Sequence, residues 1–186
     1  MTREDWLVAL AKQFEKTFKQ NSAKLPKYRI TCGPPSRGAF AAHKRTIGQC
    51  FAPTMSADKT TEIIISMTQD HAMTVAGILA HEMVHAVVGV ECGHRGPFRK
   101  LALAIGLKGK MTATTESPAF KKMVRPWLRD LGKYPHAAVD WSKRPKQSTR
   151  MLKAECDECG YTVRITRKWV SEVGAPHCPH HGEMSV

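Results

Sequence analysis

The feature that most constrains this chain is a pair of histidines, four residues apart, inside a run of apolar residues. His81 and His85 enclose Glu82 in the sequence HEMVH, and the flanking positions from Val75 to Val87 are mostly apolar. On an α-helix, residues four apart lie on one face, one turn from each other. Two imidazoles and a carboxylate buried in an apolar helix are costly unless they have partners, and a metal ion supplies them.

A third metal ligand is expected after this helix. Zinc held by three protein groups keeps a fourth position for water and lowers the pKa of that water to roughly 7. His94 is the favoured third ligand, because Gly89 and Gly93 allow the chain to reverse and return a side chain toward the ion. Glu91 is the alternative, but it follows the helix too closely to turn back easily. Glu82 then has the position of a general base.

The remaining periodicity predicts an α+β domain around the metal-bearing helix. Apolar residues recur at helical spacing in residues 2–20, where Thr2 and Asp5 resemble a capping box. Three β-prone segments predict a small three-stranded sheet: 28–32, 45–51 and 61–66. Further helices are expected at 71–88, after Pro97 and after Pro118, with the last one kinked or broken at Pro126.

A second cluster of metal-binding residues lies near the end of the chain. Cys156 and Cys159 are spaced CxxC, and Cys178 is followed by two histidines, which is typical of a structural zinc site. By spacing, His181 fits best as the fourth ligand, while His180 and His177 remain alternatives. A redox CxxC is disfavoured because no βαβ pattern surrounds it. Residues 161–166 and 167–173 are then expected to form the arms of a β-ribbon.

The charge of the chain favours a polyanionic partner. The formal net charge is +13 and the pI is near 9.7, which indicates contact with nucleic acid such as DNA. Basic residues accumulate in a region without periodicity: Lys143, Arg144, Lys146, Arg150 and Lys153. The predicted organisation is therefore a domain at 1–135, a basic linker at 136–153 and a zinc ribbon at 154–186. Trp169 and its basic neighbours could hold phosphates and bases, or Trp169 could only cover the metal core.

The sequence predicts an intracellular protein with no membrane partner. No run of about 18 to 20 apolar residues is present, and the N-terminus lacks the apolar region of a signal peptide. A cytoplasmic location is expected, where cysteines stay reduced. Cys32, Cys50 and Cys92 have no ligand spacing and are interpreted as small buried hydrophobic residues.

The order of these motifs resembles a known family. HExxH, a glycine-bearing loop, His94 and a helix that begins near Phe98 are similar to the SprT-like zinc metallopeptidases, the Spartan-related family, most specifically from Ile63 to Leu107. The family often has glycine directly after the third histidine, whereas Arg95 intervenes here. The resemblance implies a compact zincin-like core, a C-terminal zinc ribbon, and hydrolysis of peptide bonds in proteins attached to DNA.

The leading prediction is therefore a zinc metallopeptidase acting on nucleic-acid-associated proteins, with one catalytic and one structural zinc ion. Glu82 would take a proton from water and return it to the leaving amine. The alternative is a nucleic-acid-binding zinc protein without peptidase activity, which would have no need of a carboxylate beside the metal. A peptide deformylase would take its third ligand from an upstream EGCLS-like segment, and the chain has none.

Overall fold

The computed structural model describes residues 1–41, 43–145 and 150–186, which form two compact α+β units. The first unit is Met1–Ser142 and the second is Lys143–Val186. The expected α+β class is therefore confirmed. Within the described ranges, no helix is long and apolar enough to cross a membrane.

The first unit contains four helices and five strands in the part of the chain described. The helices are α1 (Arg3–Gln20), α2 (Ala72–Val88), α3 (Pro97–Ala104) and α4 (Pro118–Leu131). The strands are β1 (Tyr28–Cys32), β2 (Gly48–Phe51), β3 (Thr61–Ile65), β4 (Leu107–Lys110) and β5 (Ala113–Glu116). The hairpin β4–β5 was not predicted from the sequence.

The N-terminal helix begins with the predicted capping box. Thr2 Oγ1 accepts a hydrogen bond from the Asp5 backbone N–H, and the Asp5 carboxylate accepts one from the Thr2 backbone N–H. These bonds satisfy two backbone donors that a helix start leaves unpaired. The apolar face of α1 is fully buried at Trp6, Leu10 and Phe14, so the amphipathic spacing correctly identified the face that packs on the core.

The three predicted strands form one sheet in the order β1-β3-β2. Strand β1 pairs in parallel with β3, and β2 pairs antiparallel with the other edge of β3. The central strand carries the isoleucine run, with Ile63 and Ile65 buried against the helices. Strand β2 therefore lies at an edge of this sheet, beside α2.

Helix α2 is the centre of the first unit. It contacts the sheet on one side and α3, β5 and α4 on others, and most of its residues from Val75 to His85 are buried. Gly89 ends the helix with a positive φ of 88°, as expected for a glycine after the last turn. Helix α2 thus lies between the sheet on one side and α3, β5 and α4 on its other sides, and this packing sets the depth of the histidine pair.

Of the two outcomes predicted at Pro126, a kink or a break, the break does not occur. Helix α4 continues from Pro118 to Leu131 although Pro126 lies within it. Pro126 is exposed, while Trp127 packs edge-on against Phe14 with ring centroids 5.3 Å apart. Packing of the turn that follows the proline offsets the roughly 3 kcal/mol cost of the lost hydrogen bond.

In the residues of the second unit that the structure describes, there are two small hairpins and a short helix. Its elements are β6 (Leu152–Glu155), β7 (Thr162–Ile165), α5 (Arg167–Val173), β8 (His177–Cys178) and β9 (Gly182–Glu183). The prediction of a β-arm at 167–173 was wrong, because this segment is α5. Gly174, at φ 89°, donates its N–H to Val170 O and closes the helix there.

The predicted linker at 136–153 is structured at both of its ends. His136 Nε2 lies 2.7 Å from Met67 O, and Val139 N–H donates to the same carbonyl at 2.8 Å, so the first unit extends to Ser142. Strand β6 begins at Leu152, inside the predicted linker. Lys146 lies outside the described residues.

Candidate metal centres

Three histidines of the first unit bring their ring nitrogens together at one point. His81 and His85 come from successive turns of α2, and His94 comes from the loop between α2 and α3. The Nε2 atom of His94 lies 3.2 Å from Nε2 of His81 and 3.2 Å from Nε2 of His85. The structure thus brings together all three histidines that the sequence predicted as ligands.

The spacing of these nitrogens fits a tetrahedral metal ion. Zinc with Zn–N bonds of about 2.0–2.1 Å places its nitrogen ligands about 3.3 Å from one another. The observed separations of 3.2 Å match this value. Glu91, the alternative ligand, is not part of the cluster, since its carboxylate folds back against Gly89.

Phe98 holds the three imidazoles in place. Its ring centroid lies 4.8 Å from that of His81, 4.4 Å from that of His85 and 4.9 Å from that of His94, and its side chain is fully buried. Pro97 starts α3 and carries Phe98 under the loop that bears His94. The helix start therefore positions the third histidine against the pair on α2.

Thr114 orients His81 from the hairpin. Its Oγ1 lies 2.9 Å from Nδ1 of His81, which leaves Nε2 free to face the other two histidines. Nδ1 of His85 is buried and has no hydrogen-bond partner among the described residues. The sequence did not single out Thr114, because only the fold of β4–β5 brings this strand to α2.

All three histidines are held in the neutral form that binds metals. Burial, with smaller contributions from His85 and His94, lowers the pKa of His81 to about 3. Burial and the neighbouring His94 lower the pKa of His85 to about 4, and burial lowers the pKa of His94. At neutral pH each ring therefore carries a lone pair that is available to a cation.

Glu82 lies beside the histidine cluster in a buried position. Its side chain is 6% exposed, and within the described chain no donor is hydrogen-bonded to its carboxylate. Burial alone raises its pKa to about 8. Gly48 of β2 makes room for it, since a Cβ there would lie 2.5 Å from Glu82 Oε1.

An open cleft of about 400 Å³ gives access to the histidines and Glu82. Residues 45–50 form one wall, residues 112–114 form the other, and α2 forms the floor. Each wall thus comes from a strand or the segment leading into it, β2 on one side and the β4–β5 hairpin on the other. An extended ligand could lie along the cleft and reach the cluster.

The second unit holds a separate group of metal-binding side chains. Cys156, Cys159, Cys178 and His181 place one ligand atom each within 4.8 Å of one another. The pair Cys159 and Cys178 has an Sγ–Sγ distance of 3.7 Å, which is too long for a disulfide bond of about 2.05 Å. His181 Nδ1 lies 3.6 Å from Sγ of both Cys156 and Cys178.

These distances also fit tetrahedral zinc. Bonds of about 2.3 Å to sulfur and about 2.05 Å to nitrogen imply S–S and S–N separations near 3.8 and 3.5 Å. The backbone N–H of His180, helped by that of His181, lowers the pKa of Cys178 and favours the thiolate. Among the candidates for the fourth ligand, His181 belongs to the cluster, whereas His180 and His177 do not.

The two clusters are what the described chain offers for metal chemistry. No protein-family model, no curated protein and no solved structure matches the chain. Its function is therefore inferred from the two sets of metal-binding side chains, the cleft and the positive charge of the chain.

Proposed function

We propose that this chain is a zinc-dependent metallopeptidase with a zincin-like core of the SprT-like type and a C-terminal zinc ribbon. The observation that carries the proposal is the convergence of three neutral imidazoles beside a buried carboxylate at the floor of an open cleft. A purely structural zinc site is normally closed by four protein ligands. This cluster offers three and leaves one side toward the cleft.

His81, His85 and His94 would hold the ion through Nε2. When bound there, zinc supplies Lewis-acid polarisation of a carbonyl group and acidifies water. Thr114 fixes the ring of His81 through Nδ1, so that its Nε2 lone pair is aimed at the cluster.

Glu82 is the residue placed to move the proton. Its carboxylate would accept a proton from the attacking water and donate it to the amine that leaves when the peptide bond breaks. Burial alone raises the pKa of this carboxyl to about 8, and a zinc ion on the neighbouring histidines would lower it toward the ionised form that accepts a proton. Gly48 leaves the carboxylate the space to do this.

A polypeptide is the substrate that fits the cleft walls. Strand β2 pairs with β3 on one side, no other described strand pairs with its second side, and its residues 48–50 line the cleft. An extended peptide can add to such an edge through backbone hydrogen bonds, which selects for polypeptides without demanding a particular sequence. The charge of +13 supports proteins bound to nucleic acid as the substrate class.

The experiment compares wild type, Glu82→Gln and Glu91→Gln in zinc content and in cleavage of a basic protein bound to DNA. We expect two zinc ions per chain in all three, one for each cluster. Cleavage should fall by roughly 10²–10⁴-fold in Glu82→Gln and stay unchanged in Glu91→Gln. Equal cleavage by wild type and Glu82→Gln would refute the role of Glu82. Absence of cleavage in wild type, with free and with DNA-bound protein, would favour a binding module.

A further inference from the structure

The basic charge of the first unit is concentrated in one part of the chain. Residues 95–129 contain nine Lys and Arg residues and one acidic residue, whereas residues 1–94 contain eleven and eight. The excess therefore belongs to α3, the β4–β5 hairpin and α4, and not to the unit as a whole.

These three elements form one continuous layer on α2. Helix α3 contacts β4, β5 contacts α4, and α3, β5 and α4 all pack on α2. The turn after α3 meets the start of α4, because Ser117 N–H donates to Gly106 O at 3.1 Å. A Cβ at Gly106 would lie only 3.2 Å from the backbone of Phe120.

Side chains alternate between the two faces of the β4–β5 hairpin. Thr114 and Glu116 point toward α2, where they contact His81 and Gly77, respectively. Lys108 and Lys110 are exposed on β4, whose register pairs them with the exposed Thr115 and Ala113. The glutamate of the hairpin is thus turned inward, and the lysines of the hairpin are turned outward.

We infer that this layer binds the phosphodiester backbone of nucleic acid through a basic face. The basic face is defined by five exposed residues: Arg99, Lys100, Lys108, Lys110 and Lys122. Within the described chain none of them has an acidic partner within 4.0 Å, whereas Lys27 and Arg29 on the first strand and the segment before it pair with Asp58. Uncompensated lysines and arginines on one face are the pattern that neutralises phosphates.

The composition of the face favours nucleic acid over a membrane or a protein. Helices α3 and α4 bury their apolar sides at Phe98, Leu101 and Phe120. Among the described residues of these helices, Leu103 is the single exposed large apolar side chain, so neither helix presents an apolar face to insert into lipid. No aromatic residue on this layer is among the exposed large hydrophobic residues of the described chain, so it lacks the anchors that dominate protein interfaces. Binding through such a face is expected to be independent of base sequence.

The inference deepens the proposed function, because the outer side of the hairpin would hold nucleic acid while its inner side lines the cleft. It rests on the nucleic-acid part of that proposal and not on peptide hydrolysis. Nucleic-acid contacts would therefore come from the first unit itself, in addition to the basic segment and the second unit.

The test measures binding of full-length protein to a labelled duplex DNA of mixed sequence as a function of salt. Lys108→Gln/Lys110→Gln should lower the slope of log K against log salt by between about one and two, since each phosphate contact contributes about 0.9. Affinity at low salt should weaken about tenfold. The matched control is Lys12→Gln/Lys16→Gln, which removes the same charge from exposed positions of α1 and should change the slope little.

Three outcomes would overturn the inference. The first is an equal salt-dependence slope in Lys108→Gln/Lys110→Gln and in Lys12→Gln/Lys16→Gln. The second is a lower slope only in Arg167→Gln/Lys168→Gln of the second unit. The third is that Lys108→Gln/Lys110→Gln loses binding to anionic vesicles while its DNA binding stays intact. Circular dichroism and zinc content verify folding, and Arg99→Gln/Lys100→Gln provides a second variant of the face. Lys108→Gln/Lys110→Gln should still cleave a free unstructured protein, and Glu82→Gln should keep the wild-type salt dependence of DNA binding. Failure of the nucleic-acid inference can therefore be distinguished from failure of the proposed peptidase activity.

Discussion

The absence of a side chain at Gly48 gives the proposed general base, Glu82, its position. A Cβ at Gly48 would lie 2.5 Å from Glu82 Oε1 and 2.6 Å from Ile78 Cγ2, closer than atoms in contact can approach. Gly48→Ala should therefore displace the carboxylate and lower cleavage at least tenfold, while both zinc ions stay bound. Gly33→Ala is the matched control, because the nearest atom to its Cβ would be Ile64 Cγ2 at 4.0 Å. Zinc loss or full activity in Gly48→Ala would contradict this prediction.

Arg29 of β1 pairs with Asp58, which precedes β3, and with Glu62 on β3, and these pairs make the free energy of unfolding depend on pH. Its guanidinium donates to Asp58 at 2.8 and 3.1 Å and to Glu62, and these bonds hold the pKa of both carboxyls below their ordinary values of 3.8 and 4.5. A lowered folded-state pKa contributes stability above the unfolded-state pKa, and that stability is lost as pH falls through the folded-state pKa.

Arg29→Met should therefore be less stable than wild type at pH 7, and the difference should vanish between about pH 5 and pH 2. The effect should be small and should shrink in high salt, because the three side chains are partly exposed to solvent. Urea unfolding at several pH values measures it. Arg99→Met, which removes an arginine that has no ion pair among the described residues, should follow the wild-type pH profile. A constant difference in Arg29→Met would refute the linkage.

At the scale of residues, the sequence predicted the histidine cluster better than its surroundings. Spacing by four fixes the relation of His81 to His85 on any helix, and the glycines near His94 permit the return of the chain. Thr114 and Gly48 could not be found in this way. Their contacts with His81 and Glu82 arise from strands distant in sequence, whose pairing no local pattern specifies.

At the scale of elements, strong periodicity was predictable and short strands were not. Helices α1 and α2 have long apolar faces that bury whole turns. The hairpin β4–β5 has two strands of four residues joined by Met111 and Thr112, without the glycine or asparagine that marks a two-residue turn. Segment 167–173 contains Trp169, Val170 and Val173, which favour strands, but it forms a helix that ends at the Gly174 cap.

Gly106 lies between α3 and β4 and contacts the start of α4, so its substitution tests how tightly these elements pack. Gly106 and Gly109 have nearly the same φ, 89° and 87°, so alanine should cause similar backbone strain of about 1–3 kcal/mol at either position. Only at Gly106 would the added Cβ also meet the Phe120 backbone, at 3.2 Å. Gly106→Ala should thus lose about 1 kcal/mol more than Gly109→Ala in urea unfolding. An equal loss of unfolding free energy in the two variants would show that α4 shifts to accept the added Cβ without cost.

At the scale of the whole molecule, the two units have different sources of stability. The first unit buries a large core around Trp6, Phe14 and Met83. The buried cluster of the second unit consists of Ala154, Cys156, Cys178 and Met184, two of which are proposed zinc ligands. Charge and cysteine spacing indicated this division, but the end of the first unit at Ser142 depends on the contacts of residues 136–139 with Met67.

Metal removal should therefore unfold one unit and spare the other. Small zinc domains gain apparent binding free energies of about 10–16 kcal/mol from their metal, and without it they have too little core to fold. On treatment with a chelator, amide hydrogens of β6 and β7 should lose protection from exchange, whereas those of α1 and β3 should keep it. His181→Ala should reproduce this loss with zinc present, and His180→Ala, the exposed neighbour outside the cluster, should not. Protection of β6 and β7 that survives both chelation and His181→Ala would mean that the second unit folds without the metal.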